Sequence, residues 1–207
     1  MTTVASSILP LENGDRLTRA EFHARYEQHP EIRRAELIEG VVYVPSPVGK
    51  DHSSRDARMT TWLGTYAAGR AGAMVLSNAT IRLDADNEVQ PDVAVLRLRP
   101  GEADDRGYVE RAPELVVEIA GSTVSYDLHD KMNVYRRNGV QEYVVWRVYD
   151  AAIDWFELKD GRYERLAPDE HGVIESMVFP GLRLAVEKML AGDLAGVLEE
   201  QGRERGE

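Results

Sequence analysis

The sequence predicts an α/β or α+β domain, a mixed central β-sheet flanked by helices. Three observations predict it. Helical and strand periods follow one another as helix, hairpin, helix, strands, helix, strands, which is not a regular βαβ series. The run Leu115-Val116-Val117-Glu118-Ile119-Ala120 is apolar on both faces apart from one residue, as in a buried central strand. Residues 49–70 carry Met59, Trp62, Leu63 and Tyr66 at helical spacing, the apolar stripe of a long helix lying on that sheet.

Each element has its own local reason. The first 15 or so residues lack a period and read as a loose tail, set at 1–17. Thr18 with Glu21 forms a capping box, Phe22 and Tyr26 follow at i, i+4, and His29-Pro30 closes the helix. Residues 34–44 read as two short strands about a Glu39-Gly40 turn, ended by Pro45-Ser46-Pro47. After the long helix, Ala73–Leu83 is strand-like, Asp84–Glu88 is a polar turn, and 90–96 is a further strand. A charged loop over Arg99–Arg111 leads into the central strand. Tyr126–Asn138 is helical, with Leu128, Met132 and Tyr135 on one face and Gly139 beyond its end. Glu142–Val148 and Ala152–Leu158 are strands, and Asp160-Gly161 turns into Arg162–Leu166. A final amphipathic helix spans about 185–199, before a charged tail at 200–207. The expectation is a single domain over 18–199.

Composition narrows the function classes. In 207 residues, 25 Lys and Arg face 36 Asp and Glu, a formal net charge of −11. That balance opposes a broad, charge-driven coat on nucleic acid, though not a local basic groove. The absence of cysteine removes disulfides, thiolate zinc sites and cysteine nucleophiles. No stretch is apolar enough to span a bilayer, and the N-terminus lacks a basic n-region, so a soluble cytoplasmic protein is expected. Neither a phosphate-cradling glycine loop nor a Gly-x-Ser-x-Gly elbow is present.

Chemistry enters through carboxylates placed where strands should be apolar. Glu118 sits inside the central strand, Asp92 opens Val93-Ala94-Val95-Leu96, and Glu36 precedes Leu37-Ile38. A buried carboxylate must be paired, solvated in a cleft or bound to a metal. If the strands of Asp92 and Glu118 are neighbours, two hard oxygen donors converge, a set suited to Mg²⁺ or Mn²⁺ in phosphate chemistry. The plainer alternative is that each faces solvent or pairs with an arginine. Lys131, on the helix after the Glu118 strand, is the natural fourth member, able to position water or neutralise charge on a phosphate. Its alternative is an exposed i, i+4 pair with Asp127.

Gln90-Pro91-Asp92, Ala112-Pro113-Glu114-Leu115-Val116-Val117-Glu118-Ile119, Tyr126-Asp127-Leu128 with Lys131 and Tyr135, and Asn138-Gly139-Val140-Gln141-Glu142-Tyr143 together resemble the Uma-type putative restriction endonuclease family. Glu36-Leu37-Ile38-Glu39-Gly40, Ser46-Pro47 and His52 match its N-terminal part, so the resemblance covers roughly 18–186. The family is similar to the PD-(D/E)XK nucleases, which implies a restriction-endonuclease-like fold. It implies that Asp92 is the metal-binding aspartate, Glu118 the motif glutamate and Glu36 an accessory carboxylate. The usual lysine position two residues after the glutamate is Ala120 here, which transfers that role to Lys131. Two further departures are Gly121-Ser122-Thr123 for the family's Ser-Pro-Ser-Thr, and Trp146-Arg147-Val148 in place of its aspartate.

Supporting positions have dual readings. His52 could touch a phosphate or cap its helix, and Gln90 could contact a metal-bound water or lie on an edge. Tyr135 could hold Lys131 or pack as a core aromatic. Arg97, Arg99, Arg106, Arg111, Arg136 and Arg137 are the basic supply for a groove. Two functions are therefore carried forward: a Mg²⁺-dependent endonuclease acting on nucleic acid, DNA in the first instance, or an inactive nuclease-fold binding module. Glu142–Val148 and the last helix are candidate surfaces for a homodimer.

Overall fold

The computed structural model describes residues 9–100, 102 and 107–203. Thr18 caps α1 (Arg19–Gln28) with the reciprocal Thr18–Glu21 bonds of a capping box. β1 (Glu36–Ile38) and β2 (Val41–Tyr43) pair antiparallel through Glu39 and Gly40, both with positive φ, the geometry that suits a two-residue hairpin. α2 (Lys50–Ala68) buries Met59, Trp62, Leu63 and Tyr66, the expected stripe. β3 (Ala73–Ser77), β4 (Ile81–Arg82), β5 (Glu88–Val89) and β6 (Val93–Arg97) lead to the central strand β7 (Leu115–Ala120). The next segment runs as α3 (Val124–Tyr126), a π-helical turn (Asp127–Lys131) and α4 (Met132–Arg137). β8 (Glu142–Arg147), β9 (Ala152–Lys159), β10 (Arg162–Arg165), β11 (Val173–Glu175), β12 (Arg183–Ala185), α5 (Val186–Ala191) and α6 (Leu194–Gln201) complete the chain.

The main sheet has the order β10-β9-β8-β7-β6-β3, and its one parallel pair is β7–β8. The mixed sheet between helices is the fold class that the sequence predicts. β2-β1-β5-β4 form a smaller sheet, and β11-β12 a two-stranded one. Alternation along β7 divides the core. Leu115, Val117 and Ile119 pack with Trp62, Trp155 and α2, while Val116 and Ala120 pack with Tyr135, Tyr143 and Val145. Glu118 belongs by register to the second face. Trp62 and Trp155 meet edge to face at 5.8 Å, and the Trp62 indole N–H donates to the Arg183 carbonyl, tying α2 to β12.

Several expectations need correction. Within the segment read as a loose tail, Leu11 is buried against Phe22 and Leu37, and the Gly14 and Leu17 N–H groups donate to Val42 and Gly40. Residues 1–8 lie outside the described residues. The polar turn is shorter than expected because Glu88 joins β5. The single last helix is two, broken at Gly192 (φ +84°), and α6 runs to Gln201, so the charged tail starts later than 200. β11 and β12 were not foreseen. β8, offered as a dimer surface, is an inner strand with buried side chains and is not available for that. Among the described residues no helix is long and apolar enough to cross a membrane.

Candidate active site

Register explains why the two strand carboxylates meet. β6 and β7 pair with Val93 opposite Val117, so one further step sets Asp92 against Glu118 on the same sheet face. The Asp92 Oδ2 accepts from the Ile119 N–H at 2.7 Å, closing the ladder with a side chain. Its Oδ1 lies 3.1 Å from Arg34 Nη1 and its Oδ2 3.2 Å from His52 Nε2. Burial alone would raise the Asp92 pKa. The His52 contact, the Arg34 charge and the Ile119 N–H outweigh it and hold the carboxyl below its ordinary value.

The neighbouring half of the site is built around Lys131. After β7 the chain crosses through α3, the π turn and α4 before returning in β8, which brings Lys131 and Tyr135 over Glu118. Lys131 Nζ lies 2.9 Å from Glu118 Oε1 and 3.0 Å from Glu36 Oε1. The Tyr135 hydroxyl donates to the same Glu118 oxygen at 2.7 Å. Glu36 also accepts from the Gln90 N–H at 2.8 Å, and the Gln90 amide donates to Tyr26 and Thr80 hydroxyls. All three charged groups are nearly buried. Burial raises the Glu118 pKa, Lys131 opposes this, and Asp92, Asp127 and Glu36 add to the rise. Burial would lower Lys131, but Glu118, Glu36 and Asp127 keep the ammonium well above its ordinary value and charged.

These groups line one open cleft of about 1110 Å³. Asp92, Glu118, Lys131, Glu36 and His52 all line it, whereas Gln90 and Tyr135 stand behind it as supports. The alternative of an exposed Asp127–Lys131 pair is excluded, since both side chains are buried and Thr123 Oγ1 donates to Asp127. The expected basic supply is elsewhere. None of Arg97, Arg99, Arg111, Arg136 and Arg137 lines the cleft: Arg97 binds the Val178 carbonyl, Arg111 pairs with Glu102 and Glu114, and Arg137 pairs with Glu39. Arg106 lies outside the described residues. Arg34 is among the cleft residues that the sequence did not single out. It stands in the unremarkable run Ile32-Arg33-Arg34-Ala35, and only the fold brings it to Asp92.

The donor set can be tested against the divalent cation that the resemblance implies. Among the described residues no three acidic or histidine side chains converge on one point. Mg²⁺ does not need three, since it keeps several waters and is often held by one or two carboxylates and the substrate phosphate. Asp92 and Glu118, two hard-oxygen donors lining the cleft, match that donor count, with both Asp92 oxygens already bonded to Arg34, His52 and the Ile119 N–H. Both bonds to Glu118 fall on Oε1, which leaves Oε2 for a further partner.

Residues 19–187 match the family model described as Uma2, putative restriction endonuclease. The chain belongs to that family. This Uma2 chain also resembles in fold a solved structure described as a putative nuclease belonging to DUF820 from Anabaena variabilis. The TM-score is 0.65 at 16% identity, over 81% of this chain and 96% of the other. No curated protein matches the sequence.

Proposed function

We propose that this protein is a nuclease that hydrolyses phosphodiester bonds of nucleic acid, DNA in the first instance, with a divalent cation, Mg²⁺ or Mn²⁺. The observation that carries the reading is that Asp92, Glu118 and Lys131, from just before β6, from β7 and from the π turn, share one cleft in a member of the Uma2 family. Asp92 and Glu118 would hold the cation, with Glu36 as the accessory carboxylate. Once bound, such a cation supplies Lewis-acid polarisation of the phosphate and a water of lowered pKa.

The chain's own residues do the rest. Lys131 is held charged by two carboxylates and presents a fixed positive charge toward the negative charge that develops on the phosphate. Tyr135 fixes the Glu118 rotamer, and the Gln90 N–H fixes that of Glu36. His52 and Arg34 hold Asp92 in place and ionised. Arg34 also competes with a cation for Asp92 Oδ1.

The test is Mg²⁺-dependent cleavage of labelled oligonucleotides by purified protein, with Asp92→Asn, Glu118→Gln and Lys131→Met alongside. Each substitution is expected to lower the rate by roughly 10²-fold or more, and EDTA to abolish it. Cleavage that survives all three substitutions sinks the assignment. The engagement of both Asp92 oxygens favours a second reading, a nuclease-fold binding module without catalysis. Calorimetry separates the two: Mn²⁺ binding that Asp92→Asn removes supports the enzyme, and no binding supports the module.

A further inference from the structure

Resting on that nuclease reading, we propose that the cleft takes single-stranded, base-exposed nucleic acid rather than duplex, with Tyr149 as a stacking platform that determines this preference.

The first ground is where the exposed apolar surface lies. Six large hydrophobic side chains are exposed among the described residues, and three of them, Val44, Val48 and Tyr149, line this one cleft. Tyr149 is the most exposed of the six at 78%. Scattered exposed apolar residues need no explanation, but their concentration around a polar floor marks a binding surface. Tyr149 does not owe its exposure to a frayed segment. It sits in the β8–β9 turn, where Arg147 binds Asp150 and Asp154, the latter at 2.6 Å, and Val148 packs against the core. The ring is therefore carried on a braced turn. Val44 and Val48 flank Pro45 and Pro47, whose fixed φ stiffens that part of the wall.

The second ground is charge. Duplex binders draw their affinity largely from Lys and Arg set against phosphates. Among the described residues this cleft is lined by six carboxylates and three Lys or Arg residues. Arg34 is committed to Asp92, and Lys131 to Glu36 and Glu118, which leaves Lys50 as the one Lys or Arg lining the cleft without a carboxylate partner among the described residues. The backbone of a duplex finds little to hold here, and its bases are stacked inward, out of reach of Tyr149. A single strand offers base faces, and stacking them on an aromatic ring adds affinity beyond the phosphate contacts and without a particular sequence.

The test uses the full chain and short fluorescent oligonucleotides of one sequence, single-stranded or annealed, with anisotropy read in Ca²⁺. The single strand is expected to bind about tenfold or more tighter than the duplex, with a shallow salt dependence because so few Lys and Arg residues line the cleft. Tyr149→Ala should weaken single-strand binding roughly 5- to 100-fold, and Tyr149→Phe should retain it, because the ring and not the hydroxyl stacks. Equal or tighter binding of the duplex, or single-strand binding unchanged in Tyr149→Ala, overturns the proposal. Cleavage in Mg²⁺ separates the two readings. A duplex cut in a Glu118-dependent but Tyr149-independent way overturns the substrate preference and leaves the nuclease standing. Single strands bound through Tyr149 yet never cut leave the preference and overturn the nuclease.

Discussion

Replacing Lys131 with methionine removes the one positive charge between two buried carboxylates. The Lys131, Glu118 and Glu36 side chains are 4%, 3% and 6% exposed, and the contacts are 2.9 and 3.0 Å. At an effective dielectric constant near 20, each such pair interacts by about 5 kcal/mol before desolvation is subtracted. Removing one partner of a buried pair typically costs about 3–5 kcal/mol, since the survivors stay buried without compensation. Those survivors can escape by taking up a proton. A carboxyl whose folded pKa is raised stabilises the fold at low pH and loses that contribution as pH rises above its unfolded value, by up to about 1.4 kcal/mol per pH unit. The penalty of Lys131→Met should therefore be small near pH 5 and full near pH 8. In a chain of this size it should appear as a melting temperature lowered by roughly 6–20 °C at the higher pH. Thermal unfolding followed by circular dichroism from pH 5 to 8, beside the wild type, measures it. A penalty that is flat with pH, or under about 1 kcal/mol at pH 8, refutes the buried triad and returns Lys131 to the exposed helix pair.

Three further outcomes are expected. Tyr135→Phe deletes a buried hydroxyl that donates to Glu118 and should cost about 1.5–3 kcal/mol in urea unfolding; an unmoved midpoint would show that the bond is not made. Thr18→Ala removes half of the α1 capping box and should cost about 1 kcal/mol by thermal shift, whereas no loss would mean that the cap is dispensable. Burial raises the Glu142 pKa even though Ser176 Oγ and the Met177 and Val178 N–H groups donate to it. Its folded pKa being raised, this carboxyl costs stability as pH climbs above the ordinary carboxylate range, so Glu142→Gln should gain on the wild type between about pH 5 and 8. Parallel melting curves against pH would contradict that.

Part of this site was legible because burying a carboxylate is costly. Glu118 within Leu115–Ala120 and Asp92 ahead of Val93 break an apolar pattern, and a break of that kind needs a partner or a purpose. Lys131 and Tyr135 were legible from their i, i+4 spacing on the following helix. What was not legible depends on contacts remote in sequence. Arg34 reaches Asp92 across 58 positions, and nothing around it departs from ordinary composition. The arginines expected to line a groove were judged by their nearness in sequence to the site, yet Arg111 pairs with Glu102 and Glu114, Arg137 with Glu39, and Arg97 and Arg136 bind the Val178 and Gly161 carbonyls. Helical periodicity predicted the 126–138 segment but not its π turn, which adds a residue to one turn without disturbing the apolar face. β11 and β12 are three residues each, too short to show a period.

The ammonium and the carboxylate that it balances belong to different kinds of element. Glu118 is fixed by the ladder of β7, while Lys131 rides on a helical segment that can detach without breaking a single bond between strands. Should that segment lift, Glu118 on the main sheet and Glu36 on the smaller one would lose the ammonium between them, so docking of the segment and the charge balance of the two carboxylates are coupled. Hydrogen exchange of residues 124–137 should accordingly be linked to the ionisation of the floor beneath them.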